Sequence, residues 1–162
     1  MKILGIDPGT ARVGWGIVEE NKGKIVAGRY GCIETKSTLS AEKRLKEIFD
    51  VLLELLRKEK PDALALEEIF FATNAKTVIP VAQGRGVVLL AAAQASIPVV
   101  SYTPLVVKQT ITGNGKAEKS QVQRMVMRLL NLSRVPKPDD AADALAIALT
   151  HAYSYRLKNK TL

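Results

Sequence analysis

The apolar positions of the chain first fall in short runs and then recur at helical spacing. Runs over residues 2–6, 14–19 and 24–35 predict three strands, whose short connections suit an antiparallel meander. A helix is predicted from an N-cap at Ser40 to a stop at Pro61. Its apolar positions at helical spacing are Leu45, Ile48, Phe49, Leu52, Leu53, Leu55 and Leu56.

The rest of the chain alternates between strand and helix. Residues 62–68 predict a fourth strand, an Ala-rich segment reaching about Ser96 predicts a helix, and residues 97–101 predict a fifth strand. Helices interrupted at residues 113–115 follow, and a last helix is predicted over residues 139–157. This order predicts an α/β chain with the ribonuclease H-like fold, a mixed five-stranded sheet with helices on both faces.

Length and charge narrow the picture. The 162 residues are enough for one hydrophobic core, so we expect one domain over residues 1–162, ending in a short basic tail. The net charge of +8 favours nucleic acid as a partner over the alternative of a merely soluble basic protein. The single cysteine, Cys32, excludes an intrachain disulfide and a thiolate zinc cluster. No secretory signal or membrane span is recognisable, so we expect a cytoplasmic protein.

Acidic residues end two of the predicted strands. Asp7 ends the first strand, immediately before Pro8, where a turn-forming role is the alternative. Glu67 and Glu68 end the fourth strand. Because neighbouring strand residues point to opposite faces, at most one of these glutamates is expected to lie beside Asp7.

Two further acids lie on the last predicted helix. Asp140 and Asp143 are three positions apart and share one face of the first turn, between alanines small enough to allow close packing on the sheet. Asp139, which follows Pro138, predicts the N-cap. Asp143 is the least easily explained structurally, because a buried carboxylate without a partner is costly.

The chemistry of such a cluster points to a metal. Carboxylates that converge without a nearby lysine repel one another, and hard divalent cations bound through oxygen remove that repulsion. Magnesium or manganese is expected, as two ions roughly 3.5 to 4 Å apart that activate a water for phosphodiester hydrolysis. A lysine ammonium filling the gap among the acids would contradict this prediction.

Five motifs resemble, in order and spacing, those of the RuvC family of Holliday-junction resolvases, over about residues 1–155. They are GIDPGT from Gly5 with GWGIV from Gly14, ALEEIFFATNAKT from Ala65, QGRGV from Gln83, VKQTITGNGKAEKSQVQ from Val107 and DAADALAIALTHA from Asp140. The resemblance implies a homodimeric endonuclease that resolves four-way (Holliday) junctions by paired symmetric nicks, using Mg²⁺ or Mn²⁺, in DNA recombination and repair. It also implies branch-migration partners of the RuvA and RuvB type.

The resemblance assigns roles to individual acids and to one aromatic residue. The family's catalytic, metal-binding acids match Asp7, Glu67, Asp140 and Asp143, and the pattern Ala-Leu-Glu selects Glu67 over Glu68. The family's aromatic after the fourth strand matches Phe70, which implies stacking on an unpaired base, although a core position is the alternative.

Basic residues are concentrated between residues 101 and 128. Five basic residues stand there against Glu118, a balance of +4 that favours phosphate contact. Lys108 and Lys119 match the family's basic positions near the scissile phosphate, and Lys116 is a further candidate DNA contact. For the other two, Arg124 and Arg128, solvated helix charges are the alternative.

Two glycines within a predicted helix, Gly84 and Gly86, suggest close approach of another segment, within the chain or between subunits. The only histidine, His151, has no catalytic pattern around it and is expected to be structural.

Two rival functions remain. The turn at residues 7–10 resembles the phosphate-binding loop of actin-like ATPases and sugar kinases, but those proteins close a cleft between two such domains and this length provides one. A binding module without cleavage activity is the second rival, and the complete set of acids argues against it.

Overall fold

The predicted elements are present, with ends shifted by up to a few residues. The computed structural model describes residues 1–69 and 75–160, except for the side chains of 75–77 and 158–160. The strands are β1 Lys2–Asp7, β2 Arg12–Asn21, β3 Lys24–Glu34, β4 Ala63–Glu67 and β5 Val99–Tyr102. The helices are α1 Ala41–Glu59, α2 Ala75–Gln94, α3 Pro104–Thr112, α4 Lys119–Leu129 and α5 Asp139–Lys160.

The five strands form one mixed sheet in the order β3-β2-β1-β4-β5. β1, β2 and β3 are antiparallel neighbours, whereas β4 runs parallel to β1, and β5 runs parallel to β4. The predicted meander and mixed sheet are therefore confirmed. The parallel pairing brings the C-terminal ends of β1 and β4 to the same edge of the sheet.

Helices cover both faces of the sheet, as predicted. Ile3 of β1 faces a core that includes Val126 of α4 and Leu145 of α5. The next residue, Leu4, points the other way, into a core built with α1 and α2 that includes Leu52. This alternation follows from the two-residue repeat of a strand. None of the helices in the described ranges is long and apolar enough to cross a membrane.

Helix α5 lies almost directly on the sheet backbone. A Cβ added to Gly5 of β1 would lie 2.0 Å from the carbonyl oxygen of Ala144, and one added to Gly16 of β2 would lie 2.7 Å from Cγ of Leu145. The close packing predicted from the alanines of α5 is therefore present. It depends equally on glycines in the facing strands, which leave room for the helix.

Of the two predicted N-caps, Ser40 is confirmed in position and Asp139 is wrong. Ser40 occupies the N-cap position of α1, but its hydroxyl donates to the Glu42 carboxylate and makes no capping bond. Asp139 is the first residue of α5, and its carboxylate accepts a hydrogen bond from Nζ of Lys137 at 2.6 Å. In both cases a nearby side chain competes with the helix backbone for the capping group.

The prediction of close approach at the helical glycines is half right. A Cβ on Gly84 would lie 2.4 Å from the carbonyl oxygen of Gly9, so α2 contacts the β1–β2 turn there. A Cβ on Gly86 would meet nothing within 4 Å, so the prediction is wrong for Gly86 within one chain.

Candidate active site

The ends of two neighbouring strands place the first pair of acids. Ile6 of β1 is paired with Leu66 of β4, and Asp7 and Glu67 are the next residue on each strand. Parallel neighbours in register point to the same face, so these two carboxylates lie side by side. Glu68 is exposed, and its backbone N–H donates to the carbonyl oxygen of Tyr102.

The first turn of α5 brings the second pair to the same edge. Asp7 is opposite Gly14 of β2, and a Cβ on Gly14 would lie 2.0 Å from the carbonyl oxygen of Asp140. Asp140 and Asp143 are consequently close enough to Asp7 to act on its ionisation. The structure thus brings all four predicted acids to one end of the sheet.

Burial and mutual repulsion disfavour ionisation of three of these acids, Asp7, Glu67 and Asp143. Burial, followed by the charges of Glu67, Asp143 and Asp140, raises the pKa of Asp7 well above its usual value. Burial and the charge of Asp143 raise the pKa of Glu67 to about 7. Burial also raises the pKa of Asp143, even though an ammonium group lies beside it.

That ammonium group belongs to Lys119, the first residue of α4. Its Nζ lies 2.6 Å from Oδ2 of Asp143, and its side chain is 56% exposed. Burial lowers the pKa of Lys119, but the hydrogen bond and charge of Asp143 and the charge of Asp7 outweigh it, and the net shift is upward. The expectation that no lysine lies near the acids is therefore wrong.

A second cation borders the cluster. The guanidinium of Arg12, at the start of β2, lies 3.8 Å from Asp140 and 3.5 Å from Glu34. Within residues 1–69 and 75–160, no group of three or more Asp, Glu, His or Cys side chains is arranged to hold a metal ion. Two of the four acids pair instead with basic side chains, because a cation of the protein relieves part of their repulsion.

The cluster nevertheless remains short of positive charge. A negative potential raises the pKa of acids and bases alike, since it favours every protonated form. Burial is the largest cause of the raised pKa of Asp7, Glu67 and Asp143, and neighbouring carboxylates add to it; at Lys119 the carboxylates raise the pKa against the effect of burial. Lys119 is partly exposed and pairs with one carboxylate, so within the described part of the chain the half-buried Asp7 and Glu67 have no basic side chain within ion-pair distance.

The predicted DNA contacts do not all lie at the acid cluster. Lys108 lines a cavity of about 230 Å³ together with Glu67, Lys119 and Asp143. Lys116 is exposed in the loop before α4, and its backbone N–H donates to Oδ1 of Asn114. Phe70 lies outside the described residues.

Other groups near the site were not foreseen. No pattern in the sequence pointed to Arg12. The contact of Gly14 with α5 could have been predicted, because the sequence has glycines on β1 and β2 and alanines on the helix that faces them. His151 belongs elsewhere: it is 8% exposed, and its Nδ1 lies 2.8 Å from the hydroxyl of Tyr102.

Comparison with known proteins gives the family. The family model described as crossover junction endodeoxyribonuclease RuvC matches residues 3–151. The crossover junction endodeoxyribonuclease RuvC of Syntrophomonas wolfei subsp. wolfei is 55% identical over 159 residues, which are 98% of this chain and 92% of that protein.

Solved structures agree. The structure of Thermus thermophilus RuvC has a TM-score of 0.90 at 40% identity, covering 98% of this chain and 97% of that one. T. thermophilus RuvC in complex with Holliday junction substrate has a TM-score of 0.87 at 36% identity, covering 97% and 96%. Sequence, fold and acid cluster thus agree, and the chain belongs to the RuvC family of crossover junction endodeoxyribonucleases.

Proposed function

We propose that this endonuclease resolves four-way DNA junctions by paired symmetric nicks, in recombination and repair. The observation that carries the proposal is the convergence of Asp7, Glu67, Asp140 and Asp143 at one end of the sheet in a chain of net charge +8. Its relative from T. thermophilus, solved with a Holliday junction substrate, supports the choice of DNA substrate.

The same four acids are proposed to hold divalent metal, Mg²⁺ with Mn²⁺ able to substitute, as two ions. The donor set fits, because hard cations prefer carboxylate oxygens and the cluster is short of positive charge. Such ions supply positive charge to the phosphodiester and lower the pKa of an attacking water. Glu68 is not part of the proposed set, since it is exposed and its neighbour Glu67 lies beside Asp7.

The basic residues are proposed to hold DNA. Lys108 and Lys119 line the cavity that contains Glu67 and Asp143, so a phosphate bound by them is held next to the acids. Lys119 pairs with Asp143, and its ammonium would be free to hold a phosphate if a bound cation took over the neutralisation of that carboxylate. Lys116 provides an exposed charge on the adjoining loop. Phe70 is proposed to stack on an unpaired base.

A homodimer is proposed, because paired nicks in opposite strands need two active sites related by twofold symmetry. Helix α2 offers a face for the second copy. Ile79 is 67% exposed, Leu90 is 57% exposed, and open space surrounds Gly86. We further propose a single domain, a cytoplasmic location and partners of the RuvA and RuvB type.

Mapping of nicks on a synthetic mobile junction tests the proposal. With 5′-labelled strands and Mg²⁺, we expect incisions at symmetric positions in two opposing strands and none after addition of a chelator. A linear duplex of the same sequence is the control and should remain uncut. A protein that shifts the junction in a gel but leaves every strand intact would contradict the proposed activity.

A further inference from the structure

Helix α4 carries a second basic surface, away from the acids. Its apolar residues Val122 and Val126 are buried, and Arg124 and Arg128 lie on the opposite, exposed side of the helix. The two arginines are one turn apart. In residues 1–69 and 75–160, neither guanidinium has an acidic side chain within ion-pair distance.

These arginines line an open cleft of about 460 Å³ between α4 and the loop after α3. Two amide side chains, of Asn114 and Gln121, complete its polar lining together with Thr112. Oδ1 of Asn114 accepts from the N–H of Lys116 at 3.0 Å, and Oε1 of Gln121 accepts from the N–H of Glu118 at 2.9 Å. With both oxygens engaged, the amide NH₂ groups are the hydrogen-bonding atoms that remain for a ligand.

The cleft therefore offers donors and positive charge without a carboxylate. The hydroxyl of Thr112 is engaged by local backbone: it can donate to the carbonyl oxygen of Lys108 or of Asn114, and it accepts from the N–H of Asn114. Two guanidinium groups and two amide NH₂ groups suit a ligand with several negatively charged acceptor oxygens. Phosphate is the biological group with this chemistry.

The position of the cleft favours DNA over a free anion. Lys119, at the acid cluster, begins the helix that carries both arginines. A rise of about 1.5 Å per residue places Arg124 roughly 7 Å and Arg128 roughly 13 Å further along the helix axis. At about 100° per residue, both arginines lie on roughly the opposite side of α4 from Lys119, and they are about 6 Å apart along the helix axis. Each DNA strand presents a phosphate about every 3.4 Å of duplex axis, so one strand lying along the outer side of α4 contacts both arginines.

We propose that the Arg124–Arg128 cleft binds the phosphodiester backbone of a duplex arm, several nucleotides from the site of cutting. The identity of the DNA as a junction arm rests on the proposed function, whereas the affinity for duplex phosphates does not. The cleft holds the arm in position and takes no part in hydrolysis.

The test compares the double variant R124Q/R128Q with K43Q/R57Q. The control removes two exposed charges from α1, on the other face of the sheet, so net charge is matched. Affinity is measured against salt concentration for a four-way junction and for a linear duplex. For R124Q/R128Q we expect the slope of log K against log salt to become shallower by about 2, as expected for two lost phosphate contacts. The control should retain the slope of the unmodified protein.

A third variant, Q121E, refines the test. Glutamate at position 121 keeps an oxygen to accept from the N–H of Glu118 but places a negative charge in the cleft. We expect weaker binding of both DNAs and an unchanged unfolding midpoint.

Unchanged slopes in R124Q/R128Q, or an equal loss in K43Q/R57Q, would overturn the proposal. The proposal would also be overturned if inorganic phosphate saturated the cleft and R124Q/R128Q still bound duplex as tightly as the unmodified protein. The cleft would then be a site for a free anion. A protein that cuts no junction but needs both arginines for duplex binding would contradict the proposed function and support the cleft.

Discussion

The two faces of the sheet are packed in different ways. On the face covered by α1 and α2, large side chains such as Leu4, Ile6 and Leu52 are fully buried against one another. On the face covered by α5, the glycines of β1 and β2 contact the helix backbone at its Asp140 end and along its alanines. The first arrangement packs large side chains between the layers, and the second brings the backbones closer together.

The difference explains where the acid cluster can lie. Large side chains hold two layers about 10 Å apart, a distance too great for carboxylates on a helix and on a strand end to share an ion. The contact between Gly14 and Asp140 removes that separation. One face thus mainly supplies stability, and the other fixes the geometry of the site.

The largest expected effect comes from removing one acid of the cluster. Glu67→Gln should lower the rate of junction cleavage by at least about a thousandfold, as for other sets of catalytic residues that act together. Binding in a gel shift should persist. The matched control is Glu68→Gln, one residue further along, which should cleave like the unmodified protein. Equal losses in both variants would argue against the assignment of Glu67.

Adding a methyl group between β2 and α5 should have the next largest effect on the rate of cleavage. Gly14→Ala places a Cβ 2.0 Å from the carbonyl oxygen of Asp140, so the start of α5 must move by about an ångström or more. A displacement of about 1 Å in a catalytic group can cost roughly a hundredfold in rate. Single-turnover cleavage with saturating metal measures the loss. Full activity in a folded variant would show that the position of α5 is not critical.

A substitution on the face covered by α1 and α2 should change the stability of the protein and not its cleavage activity. Leu52 of α1 is completely buried, and Leu52→Ala should lower the free energy of unfolding by about 2 to 5 kcal/mol. Urea denaturation measures this change. Cleavage per folded molecule should remain unchanged, because α1 does not contact the acids. A reduced rate in a fully folded sample would break the distinction between the faces.

The smallest expected effect is the dependence of stability on pH. The pKa of Glu67 is about 7 in the folded chain against an ordinary 4.5, so folding favours its protonated form. With a chelator present to remove divalent metal, the stabilisation that comes from protonated Glu67 is complete below pH 4.5. It is lost as the pH rises through 7. The expected loss is roughly 2 to 3 kcal/mol. Urea denaturation at pH 5 and pH 8 measures it, and Glu67→Gln should show a smaller difference. Stability that rises over this range would contradict the pKa shift.

Periodicity was sufficient to predict the elements, because burial on one side of a strand or helix leaves a regular pattern. It also led to Asp7 and to one of Glu67 and Glu68, since the ends of neighbouring strands meet at one edge, and the family resemblance selected Glu67. The ion pair of Lys119 with Asp143 was not predictable, because the loop that begins α4 determines where that ammonium lies. The N-cap at Asp139 was mispredicted, and Ser40 occupies its predicted N-cap position without a capping bond, because acidic and basic neighbours compete for the same side chains.

The sequence by itself determined the order of the elements, the alternation that separates Glu67 from Glu68, the excess of positive charge and the family. These properties depend on neighbours along the chain or on sums over it. Only the tertiary structure decided that α5 rests on glycines, that Lys119 and Arg12 partly neutralise the acids, and that Arg124 and Arg128 face a cleft without acids. Such features depend on distances between residues far apart in sequence, which packing alone fixes.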